Sequence, residues 1–203
     1  MTPLSLKEGE MPLRSRTLTM GTCLALSLLV TGGAGAQTER PCEHDARASG
    51  TAERFVDLGD GTLLDKARGL EWKRCSEGQE WVADAGTCRG WAAVYNWPEA
   101  LAYAEEVRFA GHQDWRVPTR EELHSIVVPG CTAPAIDLGQ FPATPAFAYW
   151  SATPFEYFDR LAWAVYFKSG ETGYSPRDYG YFHVRLVRDA QESGTSGEGD
   201  RQP

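Results

Sequence analysis

RFVDLGDGTLLDKARGLEWKR, residues 54–74, sets short apolar pieces between two turn segments, Gly59-Asp60-Gly61 and Ala67-Arg68-Gly69. Glycine supplies the backbone conformation a tight reversal needs, so this spacing predicts a β-meander. Downstream the period changes. Asn96-Trp97-Pro98-Glu99 carries a helix start, with Asn96 able to cap, Pro98 in the first turn and Glu99 three residues after the cap. Trp97, Leu101, Ala104 and Val107 follow at helical spacing and are expected to face the core, Glu105, Glu106 and Arg108 to face water, and Gly111 to supply the stop. Thr119 and Glu122 form a second capping box, opening a short helix expected to end near Val127 or Val128.

Between Pro129 and Ala148 four prolines, Cys131 and no regular period predict a long loop that the cysteine would pin. Three strands are expected to close the domain: Tyr149 to Thr153, Leu161 to Lys168, and Tyr181 to Arg188. The last alternates Phe182, Val184 and Leu186 against His183, Arg185 and Arg188. The expected class is therefore α+β, a single domain of short antiparallel strands, two helices and long loops.

Residues 1–36 have the three-part grammar of a secretory signal: Arg14 and Arg16, the apolar run from Leu18 to Val30, and the small-x-small site Ala34-Gly35-Ala36. Cleavage would leave Gln37 first. The run falls short of the roughly 20 residues a membrane-spanning helix needs, so no stable span is expected after cleavage. Residues 37–54 form an extension tied by Cys42, residues 55–189 the domain, and residues 190–203, without an apolar side chain larger than alanine, a tail expected to be disordered. The expected location is exported, periplasmic or secreted. Removing the leader's Lys7, Arg14, Arg16, Glu8 and Glu10 takes the formal net charge from −8 to −9, which argues against nucleic acid and other partners held by phosphate charge.

Of five cysteines, Cys23 lies in the leader, leaving Cys42, Cys75, Cys88 and Cys131, an even number that in an exported chain predicts two disulfides. Three pairings are possible. Short loop closure favours Cys75 with Cys88, and Cys42 then takes Cys131. On the loop-entropy model the short bridge contributes about 3 kcal/mol. No C-x-x-C pair occurs, and His44, His112, His124 and His183 lack ligand spacing, so neither a metal nor a cofactor is expected.

The motifs GDGTLLDKARGLEWKRCSEGQEW, TCRGW, YNWPEALAYAEE, GHQDWRVPTREEL, FPATP with YWSATPF, AWAVYFKSGE and FHVRLVR occur in that order. Together they resemble the Lcl C-terminal domain family, a domain of unknown function, over roughly Phe55 to Asp189. Residues 115–123, WRVPTREEL, are also similar to the Arg-Leu-Pro-Thr helix entry of formylglycine-generating enzymes, which implies a C-type-lectin-like architecture. Fold does not give function. The calcium-dependent sugar tripeptides of C-type lectins are absent from the chain, and the copper chemistry of the formylglycine enzymes needs free thiols that the bridges would consume.

The chain holds seven tryptophans and eight tyrosines. Residues 173–181, GYSPRDYGY, read as a turn-rich connection carrying Tyr174, Tyr179 and Tyr181 around Arg177 and Asp178, a set able to stack on a sugar or a peptide and hydrogen-bond beside it. Tyr149 is expected to extend that surface, whereas Trp150 and Trp163 are expected to pack in the core. Glu105-Glu106 and Glu121-Glu122 are adjacent on helices and diverge by about 100°, so they do not share one substrate. Ser151 lacks a nucleophile turn. Arg116 and Arg185, among apolar neighbours, are expected to pair with Asp57, Asp65 or Glu122 and hold elements together. No catalytic residue is assigned. The expected function is a non-catalytic module of the envelope or cell surface that recognises a glycan or protein through an aromatic loop face; the alternative is an enzyme of lectin-like fold, similar to sulfatase-modifying factors.

Overall fold

A computed structural model describes residues 53–191. Chain contacts divide at Ala36 and Gln37, and the described residues lie within the second unit. The leader with its cleavage site, Cys42 and all but the first two residues of the tail lie outside the described residues.

The meander forms as three antiparallel strands, β1 (Phe55–Asp57), β2 (Thr62–Asp65) and β3 (Leu70–Lys73). Its turns are held by aspartates: Asp57 accepts from the Gly59 amide at 2.8 Å and Asp60 from the Thr62 amide at 3.0 Å. A ribbon of β4 (Glu80–Val82) and β5 (Thr87–Arg89) follows, stapled to the end of the meander by a Cys75–Cys88 disulfide with Cα atoms 5.5 Å apart. Cys131 is disulfide-bonded as well; Cys42, expected as its partner, lies outside the described residues.

Both capping boxes are made. α1 (Trp97–Glu106) opens with Asn96 accepting from the Glu99 amide at 2.9 Å while Glu99 accepts from the Asn96 amide at 3.0 Å. α2 (Arg120–His124) opens with the same reciprocal pair at Thr119 and Glu122. It stops earlier than the sequence suggested, because Ser125 already bonds back to Glu121 and Glu122, and Val127 and Val128 are drawn into loop pairings with His124 and Ala135.

The second half of the domain is a three-stranded antiparallel sheet of β6 (Ala148–Pro154), β7 (Leu161–Tyr166) and β8 (Glu171–Pro176). β7 alternates: Ala162 and Ala164 pack with Ala100 and Ala104 of α1, whereas Val165 packs with Leu123 of α2. One expectation needs correction here. Residues 173–176, expected as part of the turn-rich connection, belong to the edge strand β8, paired residue by residue with β7, and only residues 177–181 form the connection. The expected strand from Tyr181 to Arg188 shrinks to β9 (Val187–Asp189), which joins β3 to complete a β1-β2-β3-β9 sheet. Val184, Arg185, Leu186, Val187 and Arg188 are all buried, so the segment is enclosed on both sides and its polar residues do not face water.

Candidate functional site

The outer face of β7 and β8 is aromatic. The register sets Trp163 opposite Tyr174, and their rings meet edge-on at 5.9 Å. Phe155, just after β6, stands 4.4 Å from Tyr174 and 5.1 Å from Trp163, and Phe158 stacks parallel to Phe155 at 6.2 Å. Tyr157 joins Phe155 at 5.6 Å. Tyr157, Phe158 and Tyr174 are 81%, 64% and 54% exposed, a large area of ring surface for one hairpin and its neighbour to leave in water. The hairpin tip is fixed by backbone bonds from Phe155 to Leu161 and from Leu161 to Phe158, each 3.0 Å.

Charged groups frame the rings. Arg120 lies 4.5 Å over the Trp163 ring and is held in place by Glu121 at 2.6 Å, while the Trp163 indole donates to Glu156 at 3.0 Å. Backbone hydrogen bonds first, and then the bonds from Arg120 and from the Trp163 indole, hold the carboxyls of Glu121 and Glu156 below the ordinary range. An open depression of about 560 Å³, lined by Tyr157, Phe158, Asp159, Arg160 and Leu161, adjoins this face.

The residues expected to form one loop surface go to four different places. Tyr174 belongs to the sheet face. Tyr179 and Tyr181 are exposed on the connection and take part in none of the described ring pairs, and Asp178 is exposed beside them. Arg177 is half-buried and structural: it lies 4.4 Å over the Trp97 ring, and its Nε donates to Leu161 O at 3.0 Å. Tyr149 is withdrawn from the surface altogether, with no exposed area and its hydroxyl 2.6 Å from Ser76 Oγ. Burial is the main reason its hydroxyl is pushed up.

Residues 61–188 match the family model of the Lcl C-terminal domain. The chain belongs to that family. No curated protein matches it.

Within this Lcl C-terminal domain the other sequence candidates are structural. Ser151 is buried and donates to Trp163 O at 2.8 Å. Arg116 forks onto Glu122 at 2.7 and 2.8 Å and reaches Asp189 at 2.8 Å, as expected for a residue that ties elements together. Among the described residues Arg185 instead finds no carboxylate at hydrogen-bond distance. It is completely buried and donates to Lys73 O at 2.9 Å, to Arg74 O, to Thr144 Oγ1 at 2.7 Å and to Ser76 Oγ at 3.3 Å. Asp57 and Asp65, expected as partners, go to Arg74 and Arg54. Phe155, Tyr157 and Phe158 escaped sequence reading. Their one signal is the density of rings in residues 149–158, YWSATPFEYF, of which the first two go inward, Phe155 is half-buried and the last two are exposed.

Proposed function

We propose that this domain is an exported, non-catalytic module of the envelope or cell surface, lectin-like in architecture, that binds glycan on the aromatic face of β7 and β8. The observation that carries the reading is the interlocked set Phe155, Trp163 and Tyr174, whose rings hold one another at 4.4 to 5.9 Å while Arg120 lies over the indole and Glu156 accepts from its N–H at the edge. Rings held this way offer flat apolar faces to sugar C–H groups with little further loss of freedom, and a guanidinium beside a carboxylate can accept and donate to hydroxyls. The Cys75–Cys88 bridge fits an oxidising compartment. The non-catalytic part of the reading rests on Ser151, whose hydroxyl is committed to a backbone carbonyl inside the sheet.

A glycan array probed with the exported protein, followed by titration of the best binder with Trp163→Ala and Tyr174→Ala, tests the proposal. Each variant is expected to weaken binding by about 2 kcal/mol. Parental affinity in both variants, or retention on immobilised proteins but on no glycan, overturns it.

A further inference from the structure

We propose that two copies of this domain pair along the free edge of β8, antiparallel about Gly173, and so join their three-stranded sheets into one of six strands. β8 ends its sheet, in the order β6-β7-β8, and runs six residues against β7 without a break in register. A strand in that position offers amides and carbonyls to another extended chain, and folded proteins blunt such edges with charge, bulges, brevity or a cover. The edges of the two larger sheets show the contrast. β6 is covered: the Trp150 amide donates to His183 O at 3.0 Å, the His183 amide to Ala148 O at 3.0 Å, and the Ala152 amide to Pro118 O at 2.7 Å. β9 is covered by Arg116, which exchanges backbone bonds of 2.8 and 3.0 Å with Val187, and β1 is three residues long and ends on Asp57. Between Thr172 and Ser175, β8 carries no charge and no bulge, and Thr172 and Tyr174 are exposed.

Which groups of β8 are open follows from its pairing. The Arg177 amide donates to Arg160 O at 2.8 Å, continuing the register that sets Leu161 opposite Pro176, so residues 160 and 177 form a hydrogen-bonded pair. Antiparallel pairs alternate. Residues 162 with 175, 164 with 173 and 166 with 171 are therefore the bonded pairs, and the amides and carbonyls of Thr172 and Tyr174 point away from β7. Among the described residues no backbone group outside the sheet bonds these four groups. Pro176 closes the open stretch, because it has no N–H and its carbonyl already accepts from the Gly180 amide at 3.0 Å.

The symmetry of the open groups points to a second copy as the occupant. They lie one residue either side of Gly173, so a two-fold axis there sets each Thr172 against Tyr174 of the other copy, and four hydrogen bonds use all four groups. Gly173 then meets its own equivalent in the close, non-hydrogen-bonded pair and brings no side chain to it. The same glycine already lies against the Tyr166 ring, where a Cβ would stand 2.7 Å from Cε2. Glu171, the one charged residue of β8, comes opposite Ser175 of the other copy, so no like charges face each other across the edge. The axis stands perpendicular to the sheet and keeps both aromatic faces on one side, with the two Trp163 residues three strand spacings, about 14 Å, apart. Pairing does not depend on glycan binding; only the value of that doubled platform does.

The test is sedimentation of the full exported protein across roughly 1 μM to 1 mM, with amide exchange read at both ends of that range. The edge is short, so the dimer is expected to be weak, with a dissociation constant on the order of 10–100 μM. Exchange of the Thr172 and Tyr174 amides is expected to slow about threefold or more at the higher concentration. Thr172→Pro removes an outward donor and none of the bonds to β7, and is expected to weaken the dimer about tenfold or more, while Thr172→Ser leaves it unchanged. A monomer at every concentration overturns the proposal, and so does a dimer that Thr172→Pro leaves intact, which would be held by another surface. Protection of the two amides that is equal at both concentrations would mean that the chain covers its own edge, and overturns it as well. Where the proline variant does not fold, amide exchange in the parent decides alone.

Discussion

Around Arg185 the interior is polar, and around Trp163 the surface is aromatic, the reverse of the usual distribution in a soluble domain. Arg185 is enclosed completely, and its two terminal nitrogens donate to two backbone carbonyls and two hydroxyls, with no carboxylate among the described residues in hydrogen-bond contact and its Nε left without a hydrogen bond. Burial still pulls its guanidinium below the ordinary arginine range. At the sheet face, rings that could have been buried are instead held by one another and by Arg120 and Glu156. Order around Arg185 thus comes from polar bonds set against the buried rings of Phe141 and Tyr149, and order at the sheet face from ring contacts that reach the surface. Groups whose bonds are all made inward serve the fold, and ring faces left open are the ones available for recognition.

The comparison breaks most directly at its centre. Replacing Arg185 by Met removes the donor to the carbonyls of Lys73 and Arg74 and to Thr144, and the stranded acceptors should lower unfolding free energy by about 3 kcal/mol or more in urea denaturation. An unchanged midpoint would mean the polar interior does not tie the 184–188 segment to the end of β3 and to Thr144. On the outer face the large effect moves from stability to binding. Trp163→Ala should weaken the captured glycan about 30-fold, read by calorimetry, with a smaller loss of stability because the ring is only partly buried.

Glu122, half-buried between the two regimes, sharpens the contrast through pH. Burial alone would raise its carboxyl, but the bonds from Arg116 and from the Thr119 amide outweigh it and hold the group below its ordinary value. A depressed carboxyl contributes stability above its unfolded value and loses it as pH falls through the folded one. The gap between parent and Glu122→Gln, about 1 kcal/mol near neutrality, should therefore close on acidification in melts across pH 7 to 3. The smallest effect is expected for Tyr179→Ala with Tyr181→Ala: under about 0.5 kcal/mol in stability and no change in glycan binding. A loss of binding in that double variant would move the site from the sheet face to the connection.

Local signals were legible where a few neighbouring residues carry them. Asn96 with Glu99, Thr119 with Glu122, the glycine turns of the meander and the Cys75–Cys88 loop all read correctly, since each closes within a short span of chain. The strand at 171–176 did not read, because its glycine, proline and serine content carries turn chemistry, and only the partner β7 turns it into an edge. The three tyrosines looked alike in sequence, and the structure assigns Tyr174 to one surface and Tyr179 with Tyr181 to another.

By itself, then, the sequence determined the α+β class, the capped helix starts, the short disulfide and the membership of the Lcl C-terminal domain family. Only the tertiary structure decided which rings meet water and which cations do not. The reason is distance along the chain. Arg185 bonds to carbonyls 112 and 111 residues away, and Tyr149 to a hydroxyl 73 residues away, so no local pattern around either residue records whether it ends buried or exposed.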